Sequence, residues 1–485
     1  MKLANSIKYL NITEIKGNIN INISGVAYNS KSVKDNYIFV AIEGLRVDGH
    51  LYINDAITKG AKVIVVSKDI EDLQDVTVIK VKDTRAALST LSADFYDYPS
   101  KNLELIGVTG TNGKTTTTYL LKSILDICKR MTSLIGTIGT IINGKSFYST
   151  HTTPESLELQ GMFKSMLQSK VDTCVMEVSS HSIQLARVND CDFNIGIFTN
   201  LTHEHLDFHK DMENYYNTKK QLFYKTNNFN IVNIDDIYGN RLAQDIENVG
   251  PRLLTYGIDN NANIYANEII GSERSSEFLL NTPNGKINIT INIPGKFNIY
   301  NSLAAAACGY ALGLSLPHIK EGLESVIGIP GRFEVVPTNK NFNIIIDYAH
   351  TPDGFEKILE TVDEFAKGRK ILVFGCVGER DHAKRSLMGK IAEQYCDLCV
   401  LTTDNCRSED PSEILNDIKQ GFKNVNRSYI EIIDRAEAIS YAIINSKKND
   451  TIIITGKGHD KRQIIGDNVM HFDEKKIIAQ ALESL

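Results

Sequence analysis

The sequence predicts an α/β protein of three domains, two of them built on parallel sheets, and three observations carry that prediction. Short β-branched runs alternate with helical stretches through the middle and last parts of the chain: LELIGV, TCVMEV, NIGIFT, NIIIDYA, KILVFG, DLCVLTT and TIIITG. Such alternation marks parallel strands joined by crossover helices. A loop rich in glycine and threonine, Thr109 to Thr117, stands between the first of these runs and a helical pattern. Proline and glycine punctuate the chain at DYPSKN (Asp97 to Asn102) and IGIPGRF (Ile327 to Phe333), where a turn or linker is favoured over a continuing element. The expected division is 1–98 as a small N-terminal α/β domain, 99–330 as a central ATPase-like domain carrying the phosphate loop, and 331–485 as a C-terminal Rossmann-like domain.

Composition agrees with several cores and excludes several function classes. With 485 residues, 42% of them apolar, the chain can bury more than one core. A net charge of −6 gives no bias toward a polyanion, so no nucleic-acid partner is expected. The opening MKLANSIKYLNITEIKG lacks an apolar secretory core, and the longest apolar run, Ala304 to Leu316, is too short and too broken by glycine to span a bilayer. A cytoplasmic protein without membrane insertion is the expectation. Eight cysteines scattered along the chain suit a reducing compartment. Cys396 and Cys399 form a C-x-x-C, followed by Cys406, but CDLCVLTT reads as a strand feeding a loop and the pair as buried thiols rather than zinc ligands.

Chemistry concentrates at the glycine loop. The strand LELIGV runs into Gly110, Thr111, Asn112, Gly113, Lys114 and Thr115, and Thr116 opens the apolar-periodic helix TTTYLLKSIL. Glycines let backbone N–H groups face a phosphate chain, and the helix N-terminus adds positive potential. Lys114 is placed to reach the terminal phosphates, and Thr115 to offer its hydroxyl to Mg2+. The spacing departs from the usual Walker form, which has glycine where Val108 stands. Ligands of such sheets gather at the carboxyl ends of strands. Glu177 stands at the end of TCVMEV with Ser179, Ser180 and His181 after it, and Asn200, His203, His205, Asp207 and His209 follow NIGIFT. These are the candidates for holding metal ions that bridge a nucleoside triphosphate to its acceptor.

Nine motifs then occur in a fixed order: GTNGKTTT, TTPES (Thr152 to Ser156), EVSSH (Glu177 to His181), TNLTHEHLDFH (Thr199 to His209), PGKFNIYN (Pro294 to Asn301), PGRFE (Pro330 to Glu334), DYAHTPD (Asp347 to Asp353), DNCR (Asp404 to Arg407) and GKGHD (Gly456 to Asp460). In this set the chain resembles the Mur ligase family over essentially its whole length, and within it the MurE type, the tripeptide synthetases. The resemblance implies transfer of the γ-phosphoryl of ATP to a carboxylate of UDP-N-acetylmuramoyl-L-alanyl-D-glutamate, then attack on the acyl phosphate by the amine of an incoming diamino acid. It assigns Lys114 and Thr115 to the phosphates and a first Mg2+, Glu177 to that Mg2+, and His205 to a second. Asn298 and Asn301 are expected near the adenine, Arg332 at the γ-phosphate, and Asp347 and His350 to complete the nucleotide site on closure. Lys219 aligns with a lysine that the family carries as a carbamate; a bare ammonium beside two Mg2+ would be repelled, whereas a carbamate is an anion. Read without the resemblance, Lys219 beside Lys220 is a surface lysine.

The uridine end is expected in the first domain, at Ser30 of YNSKS, although the family's D-S-R reads Asn29-Ser30-Lys31 here. Thr152, Thr153, Ser179 and Arg187 are expected to line the muramoyl-dipeptide. For the added amino acid, Asp404, Asn405, Arg407, Gly456 and Asp460 match the diaminopimelate-adding pattern, with Arg380 of GERD as partner to Arg407. Two guanidiniums favour a distal carboxylate and repel an ammonium tail. Cys406 replaces the family's proline and Asp460 its glutamate. The shorter Asp460 leaves meso-lanthionine or L-lysine as alternatives to meso-diaminopimelate, and a folylpolyglutamate synthetase-like ligase as a more distant one. A monomer is expected.

Overall fold

The computed structural model describes residues 1–44, 47–71, 73–149, 151–423 and 428–485, which form three large sheets in chain order and a two-stranded antiparallel one, Arg462–Ile465 with Asn468–His471. The first has five strands, in the order Ile12–Lys16, Thr77–Val81, Ala61–Val66, Tyr37–Val40 and Gly25–Ala27, all parallel except the first pair. Alternation along Tyr37–Val40 divides its faces: Ile38 and Val40 pack with Leu88 and Leu91 of one layer, Phe39 and Ala41 with Ile53 and Ala56 of the other.

The central sheet has eleven strands. Its parallel spine runs Thr132–Ile135, Thr173–Glu177, Glu104–Thr109, Phe193–Phe198, Thr226–Asn233, Arg252–Gly257 and Ile264–Gly271. The sequence predicts a parallel sheet here, and the structure adds antiparallel strands at both edges: Thr140–Ile142 and Lys145–Phe147 at one, Ser276–Thr282 and Gly285–Ile291 at the other. The first hairpin closes through Asn143-Gly144, both at positive φ, the two-residue turn that suits twisted strands. On one face the helix Lys114–Ile127 packs against Lys296–Ala311, Leu120, Leu121 and Ile124 meeting Leu303, Ala304 and Cys308. The alanine-rich run is thus a buried helix whose small side chains let its neighbour approach closely. Among the described residues no helix is long and apolar enough to cross a membrane.

The third sheet orders Glu334–Val336, Asn343–Asp347, Thr451–Thr455, Lys370–Phe374, Leu398–Leu401 and Ser428–Glu431, parallel except for the first strand. Cys396 and Cys399 are buried in its core beside Phe374 and Met388. In the central sheet, Glu104–Thr109 lies between Thr173–Glu177 and Phe193–Phe198, and the loops after these strands face the C-terminal domain across a cleft of about 1300 Å³. Carboxyl ends of parallel strands therefore meet the second domain where the motifs cluster.

Candidate active site

The phosphate loop is held open by its own glycines. Gly110 (φ +151°) and Gly113 (φ +85°) occupy backbone regions that side chains avoid, and a Cβ at Gly110 would collide with the Thr199 hydroxyl. The neighbouring strand end braces the loop: Thr111 N–H donates to the Asn200 carbonyl at 2.8 Å and Asn112 N–H to Asn200 Oδ1 at 2.9 Å. Lys114, the first residue of the helix, donates to the Gly110 and Thr111 carbonyls at 2.9 and 2.7 Å. Burial lowers the pKa of its ammonium, against the pull of Glu177 and Glu204.

Thr115 donates to Glu177 Oε1 at 3.0 Å. Glu177 is fully buried, and Thr137 reaches both its oxygens, N–H to Oε1 at 2.8 Å and Oγ1 to Oε2 at 3.0 Å. A hydroxyl beside a carboxylate is a hard-oxygen donor pair of the kind Mg2+ takes. Among the described residues no three His, Cys, Asp or Glu form a metal cage. His205 stands at the adjacent strand end in a left-handed conformation, φ +57°. Burial lowers its pKa to about 3, so its imidazole is neutral and able to donate a lone pair.

Lys219 is no surface lysine. It is buried on the helix Met212–Lys220, over the Tyr215 ring at 4.9 Å, whereas Lys220 pairs with Asp245 at 2.7 Å. Its Nζ donates to the Gly110 carbonyl at 2.8 Å, the same oxygen that Lys114 uses. Two ammoniums on one carbonyl repel; burial first, and Lys114 second, push the Lys219 amine well below its ordinary pKa.

The C-terminal domain docks on this assembly. Arg332 donates to Thr115 Oγ1 at 3.0 Å with its guanidinium 4.6 Å over the Tyr348 ring. Asp347 accepts from the Phe333 and Ala349 N–H groups, each at 2.6 Å, and burial raises its pKa. His350 Nε2 meets Glu204 Oε1 at 3.2 Å, and Asn112 donates to Asp353 at 2.7 Å. Asn301 lies against Gly113 and donates to Asn298 Oδ1 at 3.2 Å, while Asn298 donates to the Pro294 carbonyl at 2.7 Å.

On the dipeptide side, Thr152 Oγ1 lies 3.0 Å from Thr137 Oγ1, and Thr153 donates to the Glu177 carbonyl at 2.8 Å. Ser179 N–H donates to Thr153 Oγ1 at 3.1 Å, and Arg187 to the Thr153 carbonyl at 3.0 Å. Arg187 also pairs with Glu155, which Arg85 of the N-terminal domain reaches at 3.4 Å. Ser30 is buried on a short turn after Gly25–Ala27 and lies outside the cleft lining; Tyr28, two residues before it, donates to Glu158 at 2.8 Å.

The amino-acid residues divide. Arg380 and Asp460 line the cleft, whereas Asp404, Asn405, Arg407 and Gly456 lie behind it. Lys457 clamps Asp404 (3.4 Å) and Asn405 (2.9 Å), and Gly456 lies against Asp404 Oδ2. Arg407, at φ +55°, is pinned by its backbone between Ile464 and Gly466 and has its guanidinium 3.8 Å from Glu379. Glu379 is left-handed too, at φ +56°.

Several residues at the site escape sequence reasoning. Glu204 is half-buried between His205, His350 and Lys114; burial raises its pKa, but the interactions with His205, His350 and Lys114 outweigh burial and hold it below its ordinary value. Its signal was its position between two histidines in THEHLDFH. Thr137, the bridge between Glu177 and Thr152, has no motif. His459 donates to the Thr137 carbonyl at 3.3 Å, and Arg462 stacks at 5.0 Å on Tyr148; neither contact has a sequence signature.

A phosphate loop under a second α/β domain, with acceptor-side threonines one carboxylate away, defines a nucleotide-dependent ligase. The chain belongs to the Mur ligase family. Residues 22–96 match the family's catalytic-domain profile, 108–309 the Mur ligase middle domain and 331–458 the Mur ligase glutamate ligase domain. It is 48% identical to the UDP-N-acetylmuramoyl-L-alanyl-D-glutamate--2,6-diaminopimelate ligase of Caldanaerobacter subterraneus subsp. tengcongensis, covering 97% of this chain and 96% of that one. It is 46% identical to the protein of the same name from Clostridioides difficile over the full length of both. A solved structure of a ligase of that name superposes with a TM-score of 0.71 at 27% identity, covering 100% of this chain and 99% of the other.

Proposed function

We propose that this chain is a cytoplasmic, monomeric ligase that joins meso-diaminopimelate to the D-glutamate of UDP-N-acetylmuramoyl-L-alanyl-D-glutamate at the expense of ATP. The observation that carries this reading is the chain of hydrogen bonds Thr115–Glu177–Thr137–Thr152, which sets the phosphate loop and the acceptor side on opposite flanks of one buried carboxylate. The names of full-length relatives at 46–48% identity support it. Residues 1–98 would take the uridine end near Ser30, 99–330 the ATP and dipeptide, and 331–485 the amino acid.

In this reading an acceptor carboxylate oxygen attacks the γ-phosphorus, the bond to ADP breaks and an acyl phosphate forms. The uncharged amine of the diamino acid then attacks the acyl carbon, the bond to phosphate breaks, and the amine sheds a proton as the amide forms. Lys114 and Arg332 supply positive charge where the phosphoryl oxygens gather it. Mg2+, held by Thr115 and Glu177 with His205 and Lys219 toward a second ion, would neutralise the phosphate oxygens. Lys219 has a property that favours carbamate formation, a buried amine whose pKa burial lowers, because only an unprotonated nitrogen adds to CO2. Domain docking excludes water from the acyl phosphate.

The test is an amino-acid panel with purified protein, ATP and the UDP-muramoyl-dipeptide. Phosphate release is expected only when both acceptor and diamino acid are present, with meso-diaminopimelate ahead of meso-lanthionine and L-lysine. Release that ignores the UDP-substrate, or that follows a folate acceptor, overturns the proposal.

A further inference from the structure

Asp460 sits in the cleft in a loop that touches the central domain on both sides of it. Two residues are involved. His459, immediately before it, donates to the Thr137 carbonyl at 3.3 Å, and Arg462, two residues after, lies 5.0 Å over the Tyr148 ring. Tyr148 ends the edge hairpin that leads into Thr152 and Thr153. Arg462 also holds Asp460 itself: its backbone N–H and its Nε donate to the same oxygen, Oδ1, at 3.1 and 3.3 Å. Among the described residues no donor reaches Oδ2. One carboxylate oxygen is thus committed to Arg462, and Asp460 lines the cleft together with Arg380 and Lys461.

We infer that Arg462 is a positioning residue for the incoming amino acid: it aims the Asp460 carboxylate at the substrate ammonium and ties that aim to the central domain through Tyr148. A side chain one methylene shorter than glutamate gains reach only if its loop is pushed toward the cleft, and a guanidinium that both bonds the carboxylate and stacks across the domain boundary does this. Arg suits the task because its planar fork can bond in its plane and stack on an aromatic face at once. The inference rests on the proposed function in taking Asp460 as the amine seat.

Steady-state kinetics in all three substrates separate the possibilities. Arg462→Ala is expected to raise the Michaelis constant for meso-diaminopimelate about tenfold, with kcat and the constants for ATP and the UDP-substrate within about threefold of wild type. Tyr148→Ala should reproduce part of this rise, and the double variant should be no worse than Arg462→Ala alone, since both break one contact. Arg462→Lys should rescue only in part, because an ammonium lacks the planar guanidinium that bonds in its plane and stacks with its face, while Tyr148→Phe should behave as wild type. An unchanged amino-acid constant in Arg462→Ala overturns the inference, as does a parallel rise in all three constants or strict additivity in the double variant. Asp460→Asn is the control: if it leaves the amino-acid constant unmoved, the amine-seat reading itself fails; if it raises the constant and Arg462→Ala does not, only the positioning role fails.

Discussion

At the phosphate end of the cleft, one run of contiguous residues forms the centre of the site; at the expected amino-acid end, four separate loops meet. Gly110 to Thr116 form one strand–loop–helix unit in which Thr111, Thr115 and Thr116 are buried, Lys114 is half-buried and the contacts lie near 3 Å. At the other end Arg380, the Gly458–Arg462 stretch and, across the domain boundary, Tyr148 line the cleft, with the DNCR loop behind them. Its side chains are partly exposed, Arg407 at 27% and Arg462 at 43%. A buried, locally encoded site resists change and serves a reaction step common to many ligases. A solvated site assembled from distant loops can change one residue at a time, and here Cys406 and Asp460 depart from the family pattern.

The difference predicts graded sensitivity, greatest at the phosphate end. Lys114→Ala removes charge that stabilises the transition state and is expected to lower kcat by on the order of 10³. The UDP-substrate should bind as before, measured calorimetrically without ATP, since its contacts lie on other strand ends. Retained turnover would mean that the loop is not the ATP site. Lys219→Ala is expected to cost about 10² in kcat, and the wild-type protein in 13C-bicarbonate should show a carbamate carbon signal that the variant lacks. A wild-type spectrum without that signal, at full activity, removes the carbamate from the mechanism.

Sequence legibility follows the same division. The phosphate loop was readable because a glycine pattern at fixed spacing forces one backbone geometry, and the parallel spine because β-branched runs announce strands. Lys219 was readable only through resemblance, since nothing local distinguishes it from Lys220; burial on the inner side of its helix separates them. The edge hairpins are less legible: Asn143-Gly144 marks one of them, but the three-residue strands flanking that two-residue turn are too short to stand out beside the parallel spine. Thr137, Glu204 and Tyr148 act through tertiary neighbours. Their roles depend on what the other domain brings to them, which no spacing within a motif encodes.

At the amino-acid end the expected effects are smaller and fall on one substrate. Arg407→Ala should raise the Michaelis constant for meso-diaminopimelate about tenfold, less than a fully desolvated pair would lose, because Glu379 and solvent share the guanidinium. Discrimination against L-lysine should fall with it, as the repulsion of the ammonium tail is lost. Unchanged diaminopimelate kinetics in this variant would return the specificity to Arg380 and Asp460 alone.

The smallest effect concerns the seam between the two ends, where His459 meets Thr137. Burial, with Arg332 adding to it, lowers the His459 pKa to about 4, against an ordinary 6.5. Its Nε2 proton is donated to the Thr137 carbonyl, and its Nδ1 is buried without a partner, so a second proton has no acceptor to meet. The folded state therefore binds fewer protons here than the unfolded chain between pH 6.5 and 4, and stability falls as pH falls through that window. The contribution is present in full above pH 6.5 and has been lost by about pH 4, an effect on the order of 2 kcal/mol at most for a group that retains some solvent contact. His459→Gln keeps a donor for the Thr137 carbonyl and cannot titrate. Its melting temperature should drop less between pH 7 and 5 than that of the wild type, while the two should differ little at pH 7.5. Parallel melting curves across that range would place the acid sensitivity elsewhere, with His181 and His205, whose pKa values burial also lowers, as the groups to vary next.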